Sequence, residues 1–326
     1  MAGDLRVATY FQDRSFARGG GTMYDKVDVT ADLSSGRHNK SNPDRLGMII
    51  TPERVVYRGL LGAPSCRALG SLTVYVAQQT PFEIRRENGS TERGLLAVAP
   101  PNSPHEIRSA DRVIGVILIE PECATIADVL PVTGTTTASR NAEYAYLHRA
   151  FMQWRENDPQ IEPTKDDVDR FFFGRVIAPL RLDERIERVV RRIRAQPCDQ
   201  FLARDCARLT GLSFSRFVHL FKDEIGMTFR AFCAWKRARA VLPHVTSPGN
   251  LTDLAFRTGY PDSTHFSHSM RRIYGLRPKD ILSGSRQLAL RYDFPAGDVP
   301  DVRLAGPTTV NVHARAQAFL HTRGQI

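Results

Sequence analysis

The chain has 326 residues, 42% of them hydrophobic and 25% charged, so it is long enough for two globular domains that each bury a core. Its apolar runs fall short of the about 18 residues that cross a membrane, and residues 1–16 lack the apolar stretch of a signal peptide. We therefore expect a cytoplasmic protein without membrane contact. The five cysteines lack C-x-x-C spacing, which argues against a disulfide framework and a metal cluster, and we expect neither a metal nor a cofactor.

The net charge of +10 is concentrated in one part of the chain. Residues 181–284 contain 19 Lys and Arg against 10 Asp and Glu, whereas residues 1–180 contain 21 against 22. A basic surface attracts the phosphate backbone of nucleic acid without reading its sequence, and salt weakens its binding. The distribution therefore predicts double-stranded DNA as the partner of residues 181–284.

The first half of the chain has a pattern typical of short strands. Residues 1–45 offer little apolar material for a core, and we expect a flexible lead-in there. Further on, β-branched and aromatic residues form short stretches that Gly, Pro and Asn separate. These stretches are residues 55–57, 72–77, 82–84, 95–99 and 113–119. They predict an antiparallel sandwich or barrel within residues 46–160.

Two helices are expected after these strands, over residues 141–156 and 166–180. Apolar residues recur in both at spacings of three and four, which gives each helix one apolar face. Such faces either pack on the sheet or pair two subunits, and we favour pairing in a homodimer. We expect residues 161–180 to connect the two domains, with a joint at residues 161–165.

Residues 201–282 contain one pattern twice: a helix, a glycine turn and a second helix. In the first copy Gly211 marks the turn, Ser213 caps the second helix and Gly226 ends it. In helix-turn-helix proteins the second helix enters the major groove of DNA. The residues with the same three roles in the second copy are Gly259, Asp262 and Gly275.

The second helix of each copy is expected to bury one face and to present the other to DNA. Apolar residues such as Phe217 and Phe266 mark the buried face. For each polar residue, phosphate contact or plain solvation is the alternative to base contact. The candidates for base contact are Ser215, Arg216, His219, Ser263, Thr264 and His268. The candidates for phosphate contact are Lys222, Arg271 and Arg272.

Residues 229–242, between the two copies, are predicted to form one uninterrupted helix of about 21 Å at roughly 1.5 Å per residue. Trp235 on this helix is expected in the core rather than on nucleic acid. Two helices that read successive major-groove segments lie about 34 Å apart. A stiff helix between the copies would fix this spacing.

Together these residues resemble the C-terminal DNA-binding domain of AraC/XylS-type transcription regulators, which implies a seven-helix domain with two helix-turn-helix units over residues 181–284. At His219, His268 and Met270 the family more often has Arg, Arg and Phe, so the DNA target cannot be transferred from relatives. The resemblance rests on S-x-x-x-F-x-x-L-F-K at residues 213–222, Gly226, W-K-R at residues 235–237, G-Y at residues 259–260 and G-L-R-P at residues 275–278.

Residues 94–109 and 112–122 resemble the cupin-like N-terminal domain that many of these regulators use to hold an effector. The implied fold class is α+β, with an antiparallel β barrel and helices before an all-α C-terminal domain. A catalytic cupin needs several histidines and a carboxylate, whereas only His105 lies in this strand region, so we expect no metal and place His105 at a turn or pocket rim. The candidate effector-pocket residues are Tyr57, Tyr75, Phe82 and His105.

The favoured function is a transcription regulator, more often an activator in this family, with RNA polymerase as a partner and a small-molecule effector or dimerisation as its control. The first alternative is an architectural DNA-binding protein without an effector. The second is an enzyme domain tethered to DNA, as in DNA-repair alkyl-transfer proteins of the wider family. Those proteins use a metal-bound cysteine cluster that this sequence lacks, so we expect no catalytic residues. Residues 285–326 are expected to be a flexible tail that docks locally.

Overall fold

The computed structural model describes residues 46–111, 113–129, 137–157, 164–245, 250–284, 288–292 and 309–311. All of them belong to the larger of the two units into which the chain divides, Ser41–Ile326. The expected lead-in over residues 1–45 and most of the expected joint, residues 161–163, lie outside the described residues.

Seven strands form the first sheet: β1 (Gly47–Ile50), β2 (Arg54–Leu60), β4 (Leu72–Ala77), β7 (Leu96–Ala99), β9 (Val113–Ile119), β10 (Ala289–Tyr292) and β11 (Thr309–Asn311). Their order is β11-β10-β1-β2-β9-β4-β7. The pairs from β1 to β7 are antiparallel, and β10 runs parallel to both β1 and β11. The second sheet has the order β3-β8-β5-β6, with β3 (Cys66–Arg67), β5 (Phe82–Arg86), β6 (Thr91–Gly94) and β8 (His105–Arg108).

The two sheets face each other across one apolar core. Tyr75 and Val116 of the first sheet share this core with Ile84 and Ile107 of the second. The strand pairings among the described residues leave two separate sheets. The sequence prediction of an antiparallel sandwich or barrel is therefore confirmed, in the form of two facing sheets, and β10, which pairs in parallel with β1, is a strand that the sequence did not predict.

The outer face of the first sheet is covered by helices. They are α1 (Ile126–Val129), α2 (Thr137–Asn157) and α3 (Lys165–Phe173). Phe151 and Trp154 of α2 and Phe172 of α3 pack with Val74 and Ile117 of the sheet. Strands β4 and β9 are therefore covered on both faces, which explains their continuous apolar sequences.

These helices correct two expectations from the sequence. Their apolar faces pack on the sheet of their own chain, which was the less favoured alternative to pairing between subunits. In addition, α3 ends at Phe173 rather than at residue 180, because Gly174 adopts the left-handed conformation with φ of 70°. The segment that follows crosses to the next domain without helical structure up to Asp183.

The expected flexible tail is in part a strand. Residues 289–292 extend the first sheet beside β1, and Leu290 is fully buried. The sequence shows no long apolar period here, because a strand of four residues requires only one or two buried side chains. Residues 285–287, 293–308 and 312–326 lie outside the described residues.

Seven α-helices follow within residues 184–284. They are α4 (Glu184–Ala195), α5 (Ala203–Leu209), α6 (Phe214–Ile225), α7 (Phe229–Arg239), α8 (Leu251–Arg257), α9 (Ser263–Tyr274) and α10 (Pro278–Gly284), with a 3-10 turn at Leu242–His244. Helix α7 ends three residues before the predicted end at residue 242. Pro243 explains this, since a proline lacks the N–H for the next helical bond and its ring clashes with the carbonyl of Arg239.

Candidate functional site

The two helix-glycine-helix copies share the hydrogen bonds of their turns. The N–H of Gly211 donates to the Arg208 carbonyl at 3.1 Å, and the N–H of Gly259 donates to the Phe256 carbonyl at 3.0 Å. Both glycines have positive φ, 67° and 75°, which side chains rarely tolerate. The hydroxyl of the threonine before each glycine also donates a hydrogen bond to the carbonyl four residues earlier in the chain. The repeat predicted from the sequence is therefore present as a repeated structure.

Helix α6 presents one polar stripe. Ser213 caps it by accepting the N–H of Arg216, and Gly226 ends it at φ of 77°. Its buried residues are Phe217, Phe221 and Ile225. Four of the predicted DNA-contacting residues lie on the opposite side, at spacings of one, three and three, and all four are exposed: Ser215, Arg216, His219 and Lys222.

Helix α9 repeats this arrangement. The carboxylate of Asp262 accepts the N–H groups of Thr264 and His265, both at 2.8 Å, and these bonds hold the pKa of Asp262 below its usual range. Its buried residues are Phe266, Met270 and Ile273. Of the predicted contact residues, Ser263 is half-buried, and those that are exposed are Thr264, His268, Arg271 and Arg272.

His265 is a candidate that the sequence reasoning missed. It is exposed, and its Nδ1 lies 2.8 Å from the Asp262 carboxylate. When the two copies are aligned on their capping residues, His265 occupies the position of Arg216. This alignment was available from the sequence and would have identified His265 as a DNA-facing residue.

Helix α7 joins the two copies because its two ends belong to different cores. Phe232 packs with Phe221 of the first copy, with 5.3 Å between ring centroids. Trp235 packs with Tyr274 of the second copy at 6.0 Å, and it is 1% exposed, as the sequence predicted. Helix α7 therefore packs against both copies and is the element that joins them.

Helix α7 also binds the strand domain through a buried charge cluster that the sequence reasoning did not identify. Nζ of Lys236 lies 2.5 Å from Glu120 and 2.6 Å from Glu122, at the end of β9. Glu120 also accepts the indole N–H of Trp235 at 2.8 Å and Nε of Arg239 at 3.1 Å. Burial raises the pKa of Glu120, but Lys236 and Arg239 outweigh burial and lower it.

The last turn of α9 is held by the segment around β3. The backbone N–H of Ala68 is shared between the carbonyls of Arg272 and Ile273, at 3.1 and 3.2 Å. The hydroxyl of Ser65 donates to the Gly275 carbonyl. Apolar packing also connects the two parts, since the core between the two sheets is continuous with the apolar residues of α8 and α9.

Three of the four predicted effector-pocket residues meet inside the two sheets. The Tyr75 hydroxyl lies 2.7 Å from Nε2 of His105, and the rings of Tyr75 and Phe82 pack edge to face at 6.4 Å. Tyr57 instead donates its hydroxyl to the Leu60 carbonyl at 2.9 Å. His105 lies in strand β8 with 2% exposure, so its expected place at a turn or rim is wrong.

The ionisation of this cluster follows from its burial. Burial lowers the pKa of His105 to about 4, so the ring is neutral at pH 7. Its Nδ1 lies 2.7 Å from the Ser103 carbonyl, which can only accept, so Nδ1 carries the proton and Nε2 accepts from Tyr75. Burial raises the pKa of Tyr75 to about 12.

In the part of the chain that the structure describes, three or more His, Cys, Asp or Glu side chains nowhere come together as metal ligands would. Likewise, the helices described are all too short or too polar to cross a membrane.

Residues 206–283 match the family model described as a helix-turn-helix domain. None of the curated proteins matches this chain. Among solved structures, apo ToxT K231A from Vibrio cholerae is 10% identical, covers 71% of this chain and 97% of its own, and has a TM-score of 0.49. The C-terminal domain of AraT, a response regulator from Geobacillus stearothermophilus, is 18% identical, covers 32% and 88%, and has a TM-score of 0.31. The C-terminal domain of the response regulator yesN from Fusobacterium nucleatum is 21% identical, covers 29% and 95%, and scores 0.28.

Proposed function

We propose that the chain is a DNA-binding transcription regulator whose helices α6 and α9 read two successive major-groove segments of one operator. The match of residues 206–283 to a helix-turn-helix domain supports this proposal. The observation that carries this proposal is the pair of exposed polar stripes on two capped helices that α7 links through their cores. A rigid link favours two sites at fixed spacing, about one helical turn of DNA apart.

We assign base contact to the residues near the start of each recognition helix, because the N-terminal turns of such helices approach the base edges. In this proposal Lys222, Arg271 and Arg272, which lie toward the other end, hold phosphates. Imidazoles can donate to guanine or to phosphate but lack the bidentate fork of Arg. The residues proposed to contact bases are Ser215, Arg216, His219, Ser263, Thr264 and His268, to which the structure adds His265.

The strand domain is proposed to control this DNA binding. Its interior is continuous with the core of α8 and α9, so an effector that changes the packing of the sheets also acts on the second recognition helix. Such an effector shifts the population between two domain arrangements only if it binds one of them more tightly. We propose that the regulator is a cytoplasmic homodimer that activates transcription with RNA polymerase.

The test is selection of bound sequences from a random duplex pool with the full-length protein. A motif of two boxes about one turn apart is the expected result. His219→Ala should relax the sequence preference in one box only, and His268→Ala in the other, each by about 1–3 kcal/mol. Enrichment that is unchanged in both variants would place the recognition faces elsewhere, and no enrichment over random DNA would overturn sequence-specific binding.

A further inference from the structure

Arg67 is a buried cation without an acidic partner. Its side chain points from β3 into the space between the two sheets and is 7% exposed. Its Nε and Nη2 are both buried and have no hydrogen-bond partner in the protein. Among the described residues, no carboxylate forms an ion pair with it. Burying a charge in this way costs free energy unless another group compensates it.

The two unpartnered nitrogens are the two that bind a carboxylate side-on. Arg54 of the same protein shows this geometry: its Nε and Nη2 donate to the two oxygens of Asp169 at 2.8 and 3.1 Å. Arg67 presents the same fork toward the interior of the sheets, where its Nε and Nη2 have no partner, although the guanidinium as a whole interacts with the Tyr75 hydroxyl. A planar, two-oxygen anion matches such a fork in charge and in shape.

The neighbours of Arg67 favour an anion over a cation. The guanidinium lies beside the Tyr75 hydroxyl and acts on both Tyr75 and His105 through its charge. The His105 ring is neutral, with its one proton directed to the Ser103 carbonyl. Arg86, which lies 3.6 Å from Glu92, also acts on His105 through its positive charge, so both charges that reach the cluster are positive, and Phe82 gives it an apolar wall.

Other buried polar atoms without partners do not form a comparable site. Arg155 and Arg237 each leave only Nε unpartnered, and their other guanidinium nitrogens bond elsewhere or reach solvent. Glu122 leaves one oxygen, while its other oxygen binds Lys236. Among the described residues, only Arg67 leaves a complete two-point fork.

We infer that Arg67, with Tyr75 and His105 beside it, binds the carboxylate of a small organic acid, and that this acid is the effector of the regulator. The site adjoins the second recognition helix directly, because Ser65 and Ala68 on either side of β3 bond the last turn of α9. Binding at Arg67 therefore acts on α9 through β3. The regulatory part of this inference rests on the proposed function, whereas the binding part does not.

The binding part is tested by thermal unfolding of the full chain without DNA, at constant ionic strength. The probes are acetate and phenylacetate, each against its neutral amide. The carboxylates should raise the Tm by roughly 5 °C at about 100 times their Kd, and the amides should leave it unchanged. Arg67→Met should abolish the rise, Arg67→Lys should reduce it because Lys lacks the fork, and the exposed control Arg85→Met should retain it.

The variants also separate a binding role from a structural one. Because Arg67 is an uncompensated buried cation, Arg67→Met without ligand should unfold at a Tm equal to or above that of the natural chain. A clearly lower Tm would make Arg67 a structural residue and overturn the site. A carboxylate shift that survives in Arg67→Met, an equal shift with the amides, or no shift with either acid at its highest soluble concentration would also overturn it.

The regulatory part is tested with the selected operator. Phenylacetate should change the operator affinity of the natural chain several-fold and leave that of Arg67→Met unchanged. A Tm shift without a change in operator affinity would leave the site standing and refute its coupling to α9. If no operator can be selected, the proposed function fails while the unfolding assay still decides the site.

Discussion

Replacing Lys236 by Met should destabilise the protein by about 3–5 kcal/mol, the range for a buried ion pair that loses one partner. The Lys236 ammonium is 5% exposed and lies between Glu120 and Glu122, which are 1% and 3% exposed as side chains. Burial lowers the pKa of Lys236, and the two carboxylates more than offset this, so the ammonium stays charged. Met keeps most of the side-chain volume, so the loss measures charge rather than packing.

The structure indicates where this cost falls. Without Lys236, Glu120 keeps the bonds from Trp235 and Arg239, whereas the ion-pair partner left to Glu122 among the described residues is Arg194, at 4.0 Å. Glu122 can avoid an unpaired charge by taking up a proton. Protonating a carboxyl of ordinary pKa 4.5 at pH 7 costs about 3 kcal/mol at 1.36 kcal/mol per pH unit. This value is the most that Glu122 alone adds to the deficit, because the carboxyl takes up a proton once an unpaired charge would cost more.

The assay is urea unfolding at pH 7 and again near pH 5. An unpartnered buried carboxyl has a raised pKa, so its penalty is small at low pH and grows as pH rises. The deficit of Lys236→Met should therefore shrink toward pH 5, and adding Glu122→Gln should recover most of it. The exposed control Lys222→Met should change stability by no more than about 0.5 kcal/mol. A deficit below about 1 kcal/mol at pH 7 would refute the buried cluster as a link between the domains.

Three further outcomes are expected. Gly259→Ala should cost about 3 kcal/mol of stability or more, because its Cβ would lie 2.2 Å from the Cys198 carbonyl oxygen. Gly226→Ala has free space around its Cβ and should cost about 1 kcal/mol. Equal losses of the two variants in urea unfolding would contradict this difference. His105 has a pKa of about 4 in the fold against 6.5 unfolded. Its contribution of about 3 kcal/mol to the free energy of unfolding is therefore complete above pH 6.5 and is lost as the pH falls toward 4. If His105→Gln left the dependence of stability on pH unchanged, this reasoning would be wrong. Arg272→Ala should weaken binding to operator DNA and to random DNA about equally. It should also lower the slope of log affinity against log salt concentration by about one, as measured by titration in a salt series.

The sequence predicted the central strands best. Residues 72–77 and 113–119 were placed with the bounds that β4 and β9 have, because both faces of these strands are buried and their apolar sequences are continuous. Strands β6 and β8 were missed, since TERG and HEIR are only four residues long and mostly polar. Such short strands exist because a neighbour pairs with them, and pairing leaves little trace in the local sequence.

The recognition helices were predicted well because their signals are local. A capping Ser213 or Asp262, a buried face at helical spacing and a left-handed glycine all lie within about fifteen residues of one another. The charged groups of the domain interface could not be predicted in this way. Glu120 and Lys236 are 116 residues apart in the chain, and the packing of the two domains brings them together. Arg67 was missed for the same reason, since an arginine in a two-residue strand has no sequence pattern that marks it as buried.

The two recognition helices are held by different neighbours, so substitutions should impair them separately. Ser65→Ala removes the hydroxyl that bonds the Gly275 carbonyl at the end of α9, and Ser213→Ala removes the cap of α6; each should cost about 1 kcal/mol locally. On operators with one box scrambled, Ser65→Ala should weaken binding only where the α9 box is intact, and Ser213→Ala only where the α6 box is intact. Equal losses on both operators would show that α7 makes the two helices one rigid reader, in which case an effector in the strand domain must act on both boxes together.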